Sequence, residues 1–246
     1  MNRFFIEREQ LKLEDNEINI EGEDVKHIKD VLRLKVGDII EVLCEETVYV
    51  CKIRAIEKAM ILLDILNSYE GNNEAPIHLC LYQGLAKGQK MDLIIQKATE
   101  IGVSEIYPIV TNRTVVKIKD MKKENKKVDR WNKIALEAAK QCKRDIVPIV
   151  HNIISFEDVL KVLKNENNIL VPYEEEESIH IKDIINKFSD RKIHILIGPE
   201  GGFESVEIDK LKEIQSQIVS LGPRILRTET AGLVAMSVLL YELGDL

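Results

Sequence analysis

Two different hydrophobic patterns divide the chain. Over the first part the apolar positions form short runs typical of strands, at 3–6, 39–43, 48–56 and 60–66, and the third run alternates as a half-buried strand does. Between the first two runs, the stretch DVKHIKDVLRLKVGD predicts a short helix that ends in a Val-Gly-Asp turn. The first part of the chain is therefore predicted to be a small, mostly β domain.

From residue 77 onward, short apolar runs alternate with amphipathic stretches, which is the pattern of an α/β domain with a largely parallel sheet. We predict strands at 77–82, 105–110, 146–154, 168–173, 193–197 and 217–221. We predict helices at 91–101, 128–143, 156–163, 179–188, 204–214 and a last one that begins at 228–230. The polar stretch SYEGNNEAP is typical of a linker, so we assign 1–70 to a first domain, 71–76 to the linker and 77–246 to a second domain.

Composition fits a soluble intracellular protein. With 246 residues, 45% of them hydrophobic, the chain can bury one large or two small cores. Its four cysteines have no metal-ligand or redox spacing, so we expect reduced thiols, a cytoplasmic location and no metal. The charged start MNRFFIEREQ is unlike a signal peptide, and no apolar run reaches the roughly 18 residues of a membrane helix, so we expect no membrane partner.

Charge is distributed unevenly along the chain. The net charge of −7 argues against general nucleic-acid binding, but residues 111–145 carry 12 Lys or Arg against 5 Asp or Glu, a local excess of +7. This block predicts one basic face that suits a structured nucleic acid. For its part at 122–127, a solvated lysine-rich loop explains the charges equally well.

Three predicted strands end in loops that suggest a small-molecule site. The loops are VPY at 171–173, GPEGG at 198–202 and LGPRILR at 221–227. Ligands of open α/β sheets bind beyond the carboxyl ends of the strands, where helix N-termini point at the ligand. Neither glycine loop has the Lys-Ser/Thr of a phosphate-binding loop, and no GxGxxG follows a strand, so ATP hydrolysis and ordinary dinucleotide binding are disfavoured.

Single residues of these loops have two interpretations each. The glycines either let the backbone approach a flat ligand or only turn a strand into a helix. Glu200 either stabilises a helix N-terminus or lies near a cationic ligand. Arg224 and Arg227 either contact an anion through their planar guanidinium groups or pair with surface acids.

Several longer stretches resemble the RsmE family. They are QGLAKGQKMDLIIQKATEIGV at 83–103, the block from Trp131 to QCKRDIVP at 141–148, IGPEGGF at 197–203 and LGPRILRTETA at 221–231, together with RFF and HIKDVLRLKVGD near the N-terminus. The resemblance implies a methyltransferase that uses S-adenosylmethionine to methylate N3 of a specific uridine in the 16S ribosomal RNA of the small ribosomal subunit.

The same resemblance implies an architecture. A PUA-like β domain is expected in front of an α/β domain of the SPOUT type, whose C-terminal part is threaded into a deep trefoil knot. A homodimer is expected to form through helices of the knot. The last helix, TAGLVAMSVLLYEL, is apolar on nearly every face and must be buried in its own domain or against another subunit, which fits such an interface.

The resemblance also assigns roles to residues. The cofactor pocket is expected to contain Val171, Pro172, Gly198, Pro199, Glu200, Gly201, Leu221, Gly222, Ile225 and Leu226, with backbone groups of the last four holding the adenine. Arg227 is expected to stabilise negative charge on the base, and Glu229 to orient the base or relay its proton, although the pair could instead be structural, as a first-turn acid and its partner. RNA contacts are expected from Arg3, His27, Arg33, Lys87, Lys90, Arg113 and Arg144.

Two alternatives stay open. A non-catalytic RNA-binding or ribosome-assembly protein could keep a SPOUT-like fold, although it would not need both glycine loops intact. A related SPOUT enzyme could act on another RNA or another atom. The acidic run at 174–177 follows a strand that leads into a cofactor loop, so we expect it to face away from RNA, and it leaves the extent of that loop open.

Overall fold

The computed structural model describes residues 1–116, 121–188 and 191–243, which form two compact units. The first unit comprises Met1–Glu74 with Ala139–Ile146, and the second comprises Ala75–Ala138 with Val147–Leu246. The inclusion of Ala139–Ile146 in the first unit is not foreseen by the sequence patterns. The division into domains at 71–76 stays a prediction.

The first unit is built on a sheet in which neighbouring strands are antiparallel, apart from one parallel pair. Its strands are β1 (Arg3–Phe5), β2 (Leu11–Lys12), β3 (Glu17–Glu21), β4 (Ile39–Cys44), β5 (Thr47–Ile56) and β6 (Met60–Glu70), in the order β1-β4-β5-β6-β3-β2. The mostly β prediction is confirmed, but β2 and β3 were not predicted. The predicted helix is present as α1 (Glu23–Lys26), which continues as a π-helical turn over His27–Val31.

Buried ion pairs attach the segment Ala139–Ile146 to the first unit. Arg3 donates to Asp145 Oδ1 at 2.6 Å and to Glu41 Oε2 at 3.2 Å. Arg144 donates through Nη2 to Glu74 Oε2 at 2.5 Å. Since Arg3 is 3% and Arg144 5% exposed, neither guanidinium is presented to solvent within this unit.

The second unit contains the predicted parallel sheet. Its strands are β7 (His78–Gly84), β8 (Glu105–Val110), β9 (Ile149–Val150), β10 (Ile154–Ser155), β11 (Ile169–Pro172), β12 (Lys192–Ile197) and β13 (Gln217–Val219). The order is β10-β8-β7-β12-β11-β13, with β9 also paired to β8, and every pair is parallel. The knot that the family resemblance implies stays a prediction.

The strand predicted at 146–154 is wrong in extent, because only its two short pieces β9 and β10 pair with β8. Asn132 explains part of the interruption. Its side-chain amide accepts from Val150 N–H at 3.0 Å and donates to Val150 O at 2.9 Å, so a helix side chain satisfies backbone groups that a longer strand would pair. Pro148 also lacks the N–H that a continuous ladder needs.

Helices cover both faces of this sheet, as a parallel sheet requires. They are α2 (Lys90–Ile101), α3 (Met121–Cys142), α4 (Phe156–Leu163), α5 (Ile181–Ile184), α6 (Ser205–Glu213) and α7 (Thr228–Leu243). On one face Leu79 and Leu81 of β7 pack among α2, α3, α5 and α7, and on the other Cys80 and Tyr82 pack among α4 and α6. Among the described residues, no helix combines the length and apolar character needed to cross a membrane.

Candidate functional site

A cavity of about 720 Å³ lies in the second unit, beyond the carboxyl ends of β11, β12 and β13. Its volume is in the range of small-molecule sites. The three loops singled out in the sequence meet there. The predicted site residues that line the cavity are Lys90, Pro172, Gly198, Pro199, Glu200, Leu221, Gly222, Ile225, Leu226, Arg227 and Glu229.

Two residues predicted for the pocket, Val171 and Gly201, do not line it. Val171 is fully buried in the core on the α4 and α6 face of the sheet. Gly201 faces Arg113 instead, since a Cβ on this glycine would lie 3.0 Å from Arg113 Cβ. Both residues support the lining loops rather than line the cavity themselves.

The glycine loop after β12 lies directly against the end of β7. A Cβ added to Gly84 would be 2.3 Å from Pro199 N and 2.7 Å from the carbonyl carbon of Gly198, so only glycine permits this approach. The loop then closes a tight turn, in which Gly202 N–H donates to Pro199 O at 2.9 Å and Gly202 has a φ of +68°. Gly84 outside the loop and Gly202 within it therefore both determine where the loop backbone lies.

A buried hydrogen-bond chain joins three segments at the base of the cavity. Gln83, at the end of β7, donates through Nε2 to Thr228 Oγ1 at 2.9 Å and to Gly84 O at 3.1 Å. Thr228, the first residue of α7, donates in turn to Gly198 O at 2.6 Å. Sequence analysis missed Gln83, although a lone amide in the apolar strand IHLCLYQG is a detectable signal, because a buried amide needs polar partners.

Lys90 joins the glycine loop to the start of α7. Its Nζ lies 3.3 Å from Glu200 Oε1 and 3.4 Å from Glu229 Oε2, and Glu200 Oε1 also accepts from Lys87 N–H at 3.0 Å. Partial burial opposes ionisation of Glu200, but the hydrogen bond from Lys87 N–H, with help from Lys90, lowers its pKa below the ordinary value. Lys90, expected as an RNA contact, thus lies in the pocket wall.

Arg227 and Glu229 lie on the wall nearest to α7 and do not pair with each other. The guanidinium of Arg227 is exposed and forms no hydrogen bond or ion pair with a described residue, while its carbonyl accepts from Thr230 and Ala231 N–H and begins the helix. Glu229 instead forms the ion pair with Lys90. Its Oε2 is buried and accepts no hydrogen bond within the described part of the chain. The interpretation of Arg227 as the structural partner of Glu229 is therefore wrong.

The acidic run after β11 forms a second wall of the cavity. Glu174, Glu176 and Glu177 line it, and Glu174 Oε1 lies against Gly202. Glu176 has a structural role as well, because hydrogen bonds from the hydroxyl and N–H of Ser178, and from Ile179 N–H, lower its pKa to about 2. Sequence analysis assigned this run no place in the pocket, since nothing in EEEE indicates which carboxylates turn inward.

The remaining basic residues predicted for RNA contact fall in both units. In the second unit Lys87 is exposed, and Arg113 donates to Gly201 O at 2.9 Å while half of its side chain faces solvent. In the first unit Arg33 is exposed, and His27 packs edge-on against Phe4 at 6.3 Å. Residues 117–120 of the basic block, and the side chains of Lys122 and Lys123, lie outside the described residues.

Known proteins resemble the chain over both units. A family model described as an RNA methyltransferase PUA domain matches residues 20–66, and one described as an RNA methyltransferase domain matches residues 73–240. The ribosomal RNA small subunit methyltransferase E of Bacillus subtilis is 37% identical, over 98% of this chain and 97% of its own. The PUA-like character predicted for the first domain is confirmed.

Solved structures agree with these matches. The ribosomal RNA small subunit methyltransferase E of Neisseria gonorrhoeae, solved bound to S-adenosyl methionine, superimposes with a TM-score of 0.88 at 29% identity and covers 98% of each chain. A Legionella pneumophila protein solved with the bound cofactor SAM gives a TM-score of 0.84 at 30% identity, with 92% of each chain covered. The chain belongs to the ribosomal RNA small subunit methyltransferase E family.

Proposed function

We propose that this protein transfers the methyl group of S-adenosylmethionine to N3 of a specific uridine in 16S ribosomal RNA, within the small ribosomal subunit. The observation that carries the proposal is the cavity beyond β11, β12 and β13, where an exposed arginine and a glutamate paired with Lys90 share one wall with the glycine loops. A non-catalytic RNA-binding protein has no need of such a pocket. The curated relatives supply the substrate class through their name.

The residues present fit the cofactor. S-adenosylmethionine, when bound, supplies an electrophilic methyl group on a positively charged sulfur. Glu174 and Glu177 offer the cavity two exposed carboxylates, neither of which forms an ion pair with a described residue. Ile225 is 84% exposed, so this residue of the LGPRIL loop contributes mainly its backbone, as expected for the groups that hold the adenine.

The protein's own task is to make N3 nucleophilic. Neutral uridine carries a proton on N3, which must leave before or during methyl transfer. We assign the stabilisation of the resulting negative charge to Arg227, because its guanidinium is committed to no described residue. We assign to Glu229 the role of receiving the proton or orienting the base, and the ion pair between Lys90 and its Oε2 holds the carboxylate in place.

Contacts with the RNA backbone are assigned to the basic residues that are exposed or partly exposed. These are Lys87 and Arg113 near the cavity in the second unit, and His27 and Arg33 in the first. Arg3 and Arg144 are left out of the proposed surface because their guanidinium groups are buried in ion pairs. Phosphate contacts release counterions, so binding should weaken steeply with salt.

We propose a homodimer because part of the apolar surface of α7 is not covered by the described residues of its own unit. One side of this helix packs on α2, β7 and β12, with Ala235, Met236 and Leu239 fully buried. Val234 and Tyr241 stay partly or largely exposed, which is unfavourable for so apolar a helix in a monomer. Light scattering after size exclusion should give twice the monomer mass, and Val234→Lys should reduce it.

The deciding experiment uses small ribosomal subunits that lack the modification. Purified protein is incubated with them and labelled S-adenosylmethionine, and the product is located by nuclease mapping. Label on N3 of one uridine is expected; label elsewhere would assign another RNA or atom. Calorimetric binding of the cofactor without any transfer would favour the non-catalytic alternative, and absence of cofactor binding would reject the enzyme proposal.

A further inference from the structure

A second cluster of chemically reactive side chains lies at the opposite end of the same sheet. His78 and Cys80 are alternate residues of β7 and therefore share one face of the sheet. Cys80 is in register with Glu105, the first residue of β8. His151 directly follows β9, and its N–H donates to Ile106 O at 2.9 Å. Three strands thus bring together residues that are far apart in the sequence.

The side chains of this cluster converge on one carboxylate. His78 Nε2 lies 2.7 Å from Glu105 Oε1, and His151 Nε2 lies 2.7 Å from Glu105 Oε2. Cys80 Sγ lies 3.8 Å from Glu105 Oε1. The potential ligand atoms of His78, Cys80 and Glu105 all lie within 4.8 Å of one another.

These separations are close to those of a metal site. With metal-to-ligand distances of about 2.0–2.3 Å, two ligands of a tetrahedral ion are roughly 3.3–3.7 Å apart. The His78 imidazole would have to move away from Glu105 Oε1 by about half an ångström or more, because 2.7 Å is a hydrogen-bond distance and two ligands of one metal ion lie farther apart. A donor set of imidazole nitrogen, thiolate sulfur and carboxylate oxygen suits zinc rather than magnesium or calcium.

Surrounding residues hold the ligands in place. Tyr107 donates through its hydroxyl to Glu105 Oε2 at 2.5 Å, and its ring stacks on His151 with centroids 4.0 Å apart. Tyr82 stacks on the other face of Tyr107 at 4.6 Å. Such contacts orient metal ligands in known sites. The His78 and His151 side chains are 47% and 32% exposed, so solvent reaches the cluster from one side, while Cys80 forms its buried floor.

We propose that His78, Cys80 and Glu105 form a three-ligand site for Zn²⁺ or a similar divalent transition metal, which joins the amino ends of β7 and β8. His151 contacts the other carboxylate oxygen, Glu105 Oε2, so it positions a ligand rather than binding the ion, and water completes the tetrahedral set. Binding releases the thiol proton of Cys80 to solvent, because a metal-bound cysteine is a thiolate. The proposal is independent of the methyl-transfer reaction.

The test uses the full-length protein after treatment with a chelator. Co²⁺, whose thiolate complexes absorb in the near ultraviolet, is titrated first, and Zn²⁺ is then used to displace it. We expect one equivalent to bind with a thiolate-to-cobalt absorption band, and Zn²⁺ to raise the melting temperature. Tyr107→Phe should weaken binding roughly 10- to 100-fold.

Matched variants decide which residues hold the ion. Cys80→Ser should abolish the absorption band, whereas Cys142→Ser, at a half-exposed cysteine of α3, should leave it unchanged. Because Cys80 is buried and its variant could misfold, His78→Gln at an exposed position serves as the second variant and should weaken binding at least 100-fold. Absence of the band in the unaltered protein, or equal binding by His78→Gln, would overturn the proposal and leave a purely hydrogen-bonded cluster.

Discussion

The two ends of the parallel sheet in the second unit are built on different principles. At the carboxyl ends, the cavity is lined by loop backbone and by charged groups with no partner among the described residues, such as Arg227 and Glu177. At the amino ends, His78, His151 and Tyr107 are all engaged with one carboxylate, Glu105. Apart from the ion pairs of Lys90 with Glu200 and Glu229, the cavity keeps charged groups available for a ligand, whereas the amino end uses its charged groups within the protein.

This contrast indicates which end exchanges ligands. Charged groups that face a cavity and have no protein partner can contact a ligand, so their concentration in one cavity suits a site that is filled and emptied. Groups already paired with one another rigidify the sheet instead. Four predictions about the pocket test this distinction, beginning with the one for which we expect the largest effect.

Arg227→Ala should lower the single-turnover rate of methyl transfer roughly 10²- to 10³-fold, as removal of one charge-stabilising donor does in other enzymes. Cofactor affinity, measured by calorimetry, should stay unchanged, because the lost interaction is with the base. Arg224→Ala is the matched control, since Arg224 lies in the same loop and also lines the cavity. Equal losses in both variants would mean that the loop only needs positive charge and that Arg227 has no separate role.

Thr228→Val should weaken cofactor binding and lower the free energy of unfolding by about 1–3 kcal/mol, because Gly198 O and Gln83 Nε2 lose their shared partner in a buried place. Calorimetry and urea unfolding measure the two effects. Thr228→Ser keeps the hydroxyl and should restore most of both. If valine were tolerated, the hydrogen-bond chain would have no part in placing the glycine loop.

Glu174→Gln and Glu177→Gln should each weaken binding of S-adenosylmethionine by up to about tenfold, and weaken binding of S-adenosylhomocysteine less, because the latter lacks the positive sulfur. The ratio of the two dissociation constants is the measurement. Glu175→Gln is the control, since Glu175 belongs to the same run but does not line the cavity. An unchanged ratio in all three variants would remove the acidic wall from cofactor selection.

Glu176→Gln should have the smallest effect, and one that depends on pH. The pKa of Glu176 is lowered from its ordinary 4.5 to about 2 by the hydrogen bonds from Ser178 and Ile179, so its contribution to stability is complete above about pH 4.5 and is lost as the pH falls toward 2. Urea unfolding at pH 7, 4.5 and 2.5 should show the difference between wild type and variant shrink along that series. A constant difference would mean that this carboxylate titrates normally.

The sequence identifies the pocket loops well because their signals are contiguous. GPEGG and LGPRILR each combine a strand end, a bend and a helix start within a few residues, and both line the cavity. Contacts that depend on strand register are invisible at that level. Gln83 and Thr228 are 145 residues apart, and no local pattern predicts that one hydrogen-bonds the other.

Burial of charge was equally hard to predict. Arg3 and Arg144 are of the residue type expected at an RNA-binding surface. Their partners Asp145 and Glu74, however, lie 142 and 70 residues away in sequence, and only the folded first unit brings each pair together. The cluster around His78 could not be predicted from the sequence for a related reason. Spacing rules for metal sites search along the chain, whereas these side chains meet across three parallel strands.

Gly84 has a consequence for mutational tolerance. It does not line the cavity, so a scan restricted to residues that could touch a ligand would pass over it. Any side chain there would collide with the backbone of the loop between Gly198 and Pro199, which has no flexible end that could yield. Saturation mutagenesis should therefore find that Gly84 tolerates substitution as poorly as a catalytic residue does, although its role is only to leave space for the adjacent loop backbone.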